Sequence, residues 1–300
     1  MLGVALMLVA ALLNALASVL QRRTTRDQPE SAEFSIGMIR DLLRHPVWLL
    51  GICSMIAGFV LHAVSISLSR IALVQPLLVA ELPFTLVMAS WAFRMRLAAR
   101  DWLAIGMQSA GLVAFVACLA PSDGDPGAVP GATWALGIGV TAAAIAAIVV
   151  LGHRGRREHR AALLGIATGA AFGLNSALIA GVGATVTHGG GLFTTWQTYG
   201  VAVLGPISFF LLQNALSAGN LVASQPGFTL VNPLVSVAWG LVVFGEHARG
   251  WPFLAGTLAG AGLIGAGTIL LARSELLDPD VTHEHDGEAD ERAAGQRAHS

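Results

Sequence analysis

Residues 59–83 read FVLHAVSISLSRIALVQPLLVAELP, and residues 209–233 read FFLLQNALSAGNLVASQPGFTLVNP. Set one over the other without gaps, Gln75-Pro76 falls on Gln225-Pro226 and Pro83 falls on Pro233. A Gln-Pro followed by a second proline seven residues on thus occurs twice, each time inside an apolar run. Self-similarity of this kind marks a duplicated structural unit. It extends outward in both directions: Leu13-Asn14 corresponds to Leu174-Asn175 upstream, and Trp102 with Gly111 corresponds to Trp251 with Gly260 downstream, after a one-residue gap.

The runs that carry the repeat are too apolar for a water-soluble core. The chain has 300 residues, of which 55% are hydrophobic and only 12% charged, against about 25% charged in ordinary soluble domains. Mean hydropathy is +0.69. From Ala161 to Gly245 there is no Asp, Glu, Lys or Arg. A helix needs about 20 mainly apolar residues to cross a bilayer core, and residues 2–20, 102–120 and 132–151 each supply that. The runs are continuous and rich in Ala, Leu, Val and Gly, whereas a transmembrane barrel would show short alternating segments. The expected class is therefore an all-α polytopic membrane protein, with the lipid bilayer as its first partner. A formal net charge of −1 and the absence of lysine leave no basic face for nucleic acid.

Nine spans are expected, at residues 2–21, 47–68, 71–93, 102–120, 132–151, 161–186, 194–216, 221–244 and 251–272. They group as a first repeat over 1–120, a linker helix with its loops over 121–160, and a second repeat over 161–273. Because one linker crossing separates two four-helix units, the second unit enters the membrane from the opposite side, and the repeats are inverted. Arginines sharpen the topology, since positive residues in short loops stay cytoplasmic. Five lie at positions 22–44, three at 94–100, four at 154–160 and three after 272, so 15 of 17 fall on one side, with Arg70 and Arg249 on the other. This predicts a plasma (inner) membrane protein with its N-terminus outside and its C-terminus cytoplasmic. Ala15-Leu16-Ala17 resembles a signal cleavage site, but no positive residue precedes the apolar stretch, so it reads as a retained helix. Residues 31–45 alternate apolar and charged positions as a short interfacial helix would. Residues 274–300 hold eight of the 18 acids and read as a disordered acidic tail.

Inverted repeats with proline-interrupted helices at matching positions are the sequence sign of secondary transporters, whose sites lie near the midplane where the units meet. Glu81 stands mid-span, two residues before Pro83, where a carboxylate is costly unless paired, protonated or wetted. One reading makes it a proton- or cation-binding group; the other makes it the structural partner of a buried amide. Pro76, Pro83, Pro226 and Pro233 each free a carbonyl one turn earlier, for a solute or simply for a packing kink. Asn14, Asn175, Gln75, Gln225, Asn232, Gln213 and Asn214 are amides at membrane depth, fit to bind a polar solute or to join helices. His62, whose side chain titrates near neutrality in water, could relay protons or simply pack. Glu246 follows the eighth span and aligns with Arg96 of the first repeat.

Other chemistries find little footing. Cys53 and Cys118 sit in apolar runs away from redox or metal spacings. In the tail, His283-Glu284-His285-Asp286 offers metal-capable groups with nothing to close a coordination sphere. No nucleophile elbow, phosphate loop or flavin fingerprint occurs, so neither an enzymatic activity nor a cofactor is expected.

The small-residue helices carrying Asn14 and Asn175, the two inverted repeats and the Gly245-Glu246 end of the eighth span resemble the drug/metabolite transporter superfamily, EamA-like proteins among them. The resemblance covers residues 1–273. Within it, Leu73-Val74-Gln75-Pro76-Leu77, the Gln21-Arg22-Arg23 end of the first span and the nine-span topology look most like the NIPA-type magnesium transporter branch. The resemblance implies a carrier of a small molecule or ion, with proton coupling or magnesium as alternatives, and it is compatible with a homodimer. The first repeat departs from the pattern in carrying Arg96 where the superfamily often has an acid. It also offers one intramembrane carboxylate where a divalent cation would want more oxygen charge. A non-transporting scaffold or accessory subunit is the rival from another class.

Overall fold

The computed structural model describes residues 2–26, 46–92, 97–154, 157–217 and 221–272, with the backbone alone described at 22–26, 157–159, 216–217 and 221–226. The interfacial segment expected at 31–45, Arg96 and the tail lie outside the described residues. The helices are α1 (Leu2–Arg26), α2 (Pro46–Leu68), α3 (Ile71–Ala92), α4 (Ala99–Leu119), α5 (Gly131–Arg154), α6 (Arg157–Thr187), α7 (Trp196–Ser217), α8 (Leu221–Ala238, continued by a π turn over Trp239–Val243) and α9 (Trp251–Ala272). Among the described residues there is no strand beyond an isolated bridge between Ser122 and His247.

Seven of these helices, α1 to α6 and α9, are long and apolar enough to cross a membrane. The count expected from sequence was nine, and the two that differ have physical reasons for doing so. Helix α7 carries Gln197, Gln213, Asn214 and an internal Pro206 along its 22 residues, which lowers its hydropathy. The apolar part of α8 with described side chains, Gly227–Val243, is short.

Large apolar side chains point away from the protein along most helices, among them Phe59 and Val60 on α2, Leu136 and Val140 on α5 and Phe209 and Phe210 on α7. An exposed apolar surface this continuous is not sustained in water. Exposed aromatics gather near the helix ends: Trp91 and Trp102 at one face, and Phe193, Trp196, Tyr199 and Trp251 at the other. Tryptophan and tyrosine prefer the headgroup level, where one ring edge is apolar and the other wet. The molecule is a membrane-embedded helical protein.

Helix α6 is the central rod, with 78% of its apolar window buried, while α5 is peripheral at 6%. Small residues make the central contacts possible, because in lipid association rests on close packing rather than on expulsion of water. A Cβ added at Gly169 would stand 2.9 Å from the Phe228 carbonyl oxygen, and one at Gly173 would stand 2.9 Å from that of Asn232, so α6 and α8 pack backbone to backbone. Helices α4 and α9 cross in the same way at Gly111 and Gly260, each of whose missing Cβ would lie 2.8 Å from the other's carbonyl oxygen. Helix α5 is tied to the second half by an aromatic cluster. Trp134 packs against Trp196, Trp239 and Phe244 at centroid distances of 5.3–5.4 Å, and Trp239 Nε1 donates to Thr141 Oγ1 at 3.2 Å.

Candidate functional site

Helix α3 is interrupted. Its first turn, Ile71–Val74, passes into a 3₁₀ stretch at Gln75–Ala80 before the α-helix resumes at Glu81. Pro76 at the start of that stretch and Pro83 just beyond it remove two backbone donors, and the tighter winding follows from their absence. The interruption places Gln75 and Glu81 at opposite ends of a six-residue segment packed against α1.

The Glu81 carboxylate accepts a hydrogen bond from the side chain of Asn14 on α1. Asn14 is seated over Gly58 of α2, with its Cγ 3.2 Å from where a Cβ of residue 58 would be. The absence of a side chain at Gly58 is therefore what lets α1 bring its amide to the carboxylate. Gln75 is fully buried and its side chain pairs with that of His62 on α2, in a geometry loose enough that neither amide atom of Gln75 nor His62 Nε2 makes a well-formed bond. A polar atom buried without a well-formed bond costs about 1–3 kcal/mol. Sequence reading singled out Asn14, His62, Gln75 and Glu81 separately; in the structure the first three helices bring all four together.

In the second half, Asn175 on α6 and Asn232 on α8 each hold a buried carbonyl oxygen without a partner. The side chains of Gln225 and Pro226 lie outside the described residues. Gln213 is exposed, and Asn214 donates to the Phe210 carbonyl of its own helix at 2.8 Å. Pro76 and Pro233 meet across the two halves at an apolar cavity of about 160 Å³ that also takes in Val79, Phe115 and Ile264.

Two polar contacts were not visible in the sequence, one made by a residue it had not singled out and one by a residue whose partners it did not reveal. Gln108 of α4 is buried and donates both to the Val79 carbonyl at 3.2 Å and to Thr268 Oγ1 on α9 at 3.1 Å. Val79 is four residues before Pro83, so the carbonyl that Pro83 frees is capped by Gln108. The only signal available was a glutamine within an apolar run. Glu246 is the second: its two carboxylate oxygens accept the backbone N–H groups of Ile71 at 2.9 Å and Ala72 at 3.1 Å. It lies in the α8–α9 connection, and burial pushes its carboxyl above the ordinary glutamate range against the opposing pull of those N–H groups and of Arg70.

A polar cavity of about 190 Å³ opens beside it, lined by Ser69, Arg70, Asp125, Thr187, His188 and Glu246 among others. Among the described residues no cluster of three or more His, Cys, Asp or Glu could hold a metal ion; Cys53 and Cys118 are free.

Fold and site together define a polytopic helical membrane protein with a polar, proline-interrupted interior. No family model matches the chain, and no solved structure matches it. It is similar to an uncharacterized protein of Corynebacterium glutamicum, 25% identical over 283 residues that take in 92% of this chain and 96% of that one.

Proposed function

We propose that the chain is a secondary carrier of a small polar solute, working by alternating access and coupled to protons through Glu81. The proposal takes all nine helices as spans, arranged as two inverted four-helix repeats about linker α5, with the N-terminus outside and the C-terminus cytoplasmic. Its chief support is the set of polar side chains at the break in α3, where the Glu81 carboxylate has a single amide partner, Asn14, and the buried Gln75 and His62 hold only each other in loose geometry. A structural pair would consume its hydrogen bonds; here the carboxylate keeps acceptor capacity for a solute, water or a proton. The reciprocal contact of Gly111 and Gly260, which correspond in the aligned repeats, supports the inverted arrangement, because a pseudo-two-fold axis brings equivalent residues together where it passes.

The drug/metabolite transporter likeness of the sequence belongs to this reading. Its magnesium-transporting alternative has weaker support, since a divalent ion takes six or more oxygen ligands and the cluster offers one acid with amides. The test is Glu81→Gln in proteoliposomes loaded with a pH-reporting dye and challenged with a panel of polar metabolites and amines. The wild type should show solute-driven proton movement and the variant, inserted normally, should not. Equal flux with the same pH dependence in the variant would remove Glu81 from the mechanism.

A further inference from the structure

The carboxylate of Glu246 lies at the face that holds the α2–α3, α4–α5, α6–α7 and α8–α9 connections, far in sequence from the helix start it caps. The distance in chain is 175 residues for Ile71 and 174 for Ala72, so the bond joins the two halves. Local structure is built to present it. Gly245 has φ +70°, a left-handed turn that swings the next residue inward, and the Glu246 N–H donates to the Gly240 carbonyl at 2.9 Å. Gly124 of the α4–α5 loop, at φ +81°, lies against Glu246 so closely that a Cβ there would stand 2.6 Å from its Cγ.

Other ties across the same mouth are mostly to backbone, with His188 Nε2 3.9 Å from Asp125 Oδ2 besides. Arg70 Nε donates to the Asp123 carbonyl at 3.0 Å, Arg249 Nη1 donates to the Ala117 carbonyl at 3.2 Å, and Ser122 and His247 exchange backbone bonds at 2.9 and 2.8 Å. Most of these sit on exposed residues, where water competes for both partners. The Glu246 bonds are buried and doubled, so they dominate the closure.

We infer that Glu246 is a latch: its engagement with the first turn of α3 holds this mouth shut, and its release lets the α2–α3 turn part from the α8–α9 loop. This rests on the carrier reading, since a mouth that never opens needs no latch. It also makes the two mouths unlike. The aligned position in the first repeat is Arg96, a cation that cannot accept an N–H bond, so the opposite mouth must be closed by other means. The cavity beside Glu246 gives water, and any solute entering from this side, a path to the latch.

The test measures the distance between spin labels at Leu68→Cys and Ala248→Cys, with Cys53 and Cys118 replaced by serine, on the full chain in lipid nanodiscs. The parent should show a dominant short distance and a minor long one. Glu246→Ala strips both acceptors from two buried N–H groups and should raise the long-to-short ratio about tenfold, the factor that about 1.4 kcal/mol supplies. Gly240→Ala keeps the carboxylate but crowds it, since the added Cβ would stand 2.7 Å from Oε2, and should shift the ratio the same way. If both distances occur and neither variant changes their ratio, the latch is refuted while the carrier survives. If every sample shows a single unchanging distance, the latch falls and the carrier reading falls with it. Should Glu246→Ala fail to fold, Gly240→Ala decides alone.

Discussion

Two carboxylates, Glu246 buried and Glu81 half-buried, divide the labour of this molecule, and they are solvated in opposite ways. Glu246 gives each of its oxygens a backbone N–H at a helix start, the arrangement in which a buried charge is best tolerated. Glu81 stands at membrane depth with one amide partner, Asn14. The first is what a structural acid looks like in a low-dielectric interior. The second is an acid whose remaining hydrogen bonds are left for something else, and it lies where α3 is unwound by its prolines.

That contrast can be broken by experiment. The largest effect is expected at the well-satisfied acid: Glu246→Ala leaves two buried N–H groups orphaned and should cost about 3 kcal/mol in a thermal or denaturant unfolding measurement in detergent. Glu81→Gln should stay within about 1 kcal/mol of wild type in the same assay, because the amide can still meet Asn14, while proton-coupled flux is lost. If the two costs were reversed, the assignment of structural and functional acid would be reversed too.

The pH response of the mouth is the subtlest effect, and its sign is fixed by Glu246. Burial raises its carboxyl above the ordinary glutamate value, so the latched form holds its proton up to a higher pH than the open, hydrated form does. The latched form therefore gains stability as pH falls through the raised value, and that gain is lost as pH rises through it. The charged or titratable groups that share the cavity with Glu246 are Arg70 from the α2–α3 turn, Asp125 from the α4–α5 loop and His188 from the end of α6, with His247 and Arg249 next to it in the chain. The long-distance population between labels 68 and 248 should thus rise with pH in the parent and be flat in Glu246→Gln. A slope that survives in Glu246→Gln would remove Glu246 as the source of the response.

How much of this was legible beforehand depended on how local the cause was. Helices were readable because apolar runs and the bilayer thickness fix them one segment at a time, and the break in α3 was readable because Pro76 and Pro83 act on their own turns. Asn14, His62, Gln75 and Glu81 stood out as polar residues in apolar runs, yet nothing along the chain said that Asn14 reaches Glu81 over Gly58, since that depends on the closeness of α1 and α2. Pro83 raised the question of where its freed carbonyl goes; the answer, Gln108, lies on another helix. Glu246 stood out at sequence level only by its contrast with Arg96, because its partners are featureless backbone N–H groups in the other half.

The account stands or falls on whether the seam around Gln75 is reached by water from both faces. Single cysteines at positions 75 and 232, in a chain otherwise free of cysteine, should react with a membrane-impermeant maleimide in right-side-out and in inside-out vesicles alike. Reaction from neither face, with the exposed position 192 labelling normally as control, would mean a dry, solid interior and would contradict the carrier reading.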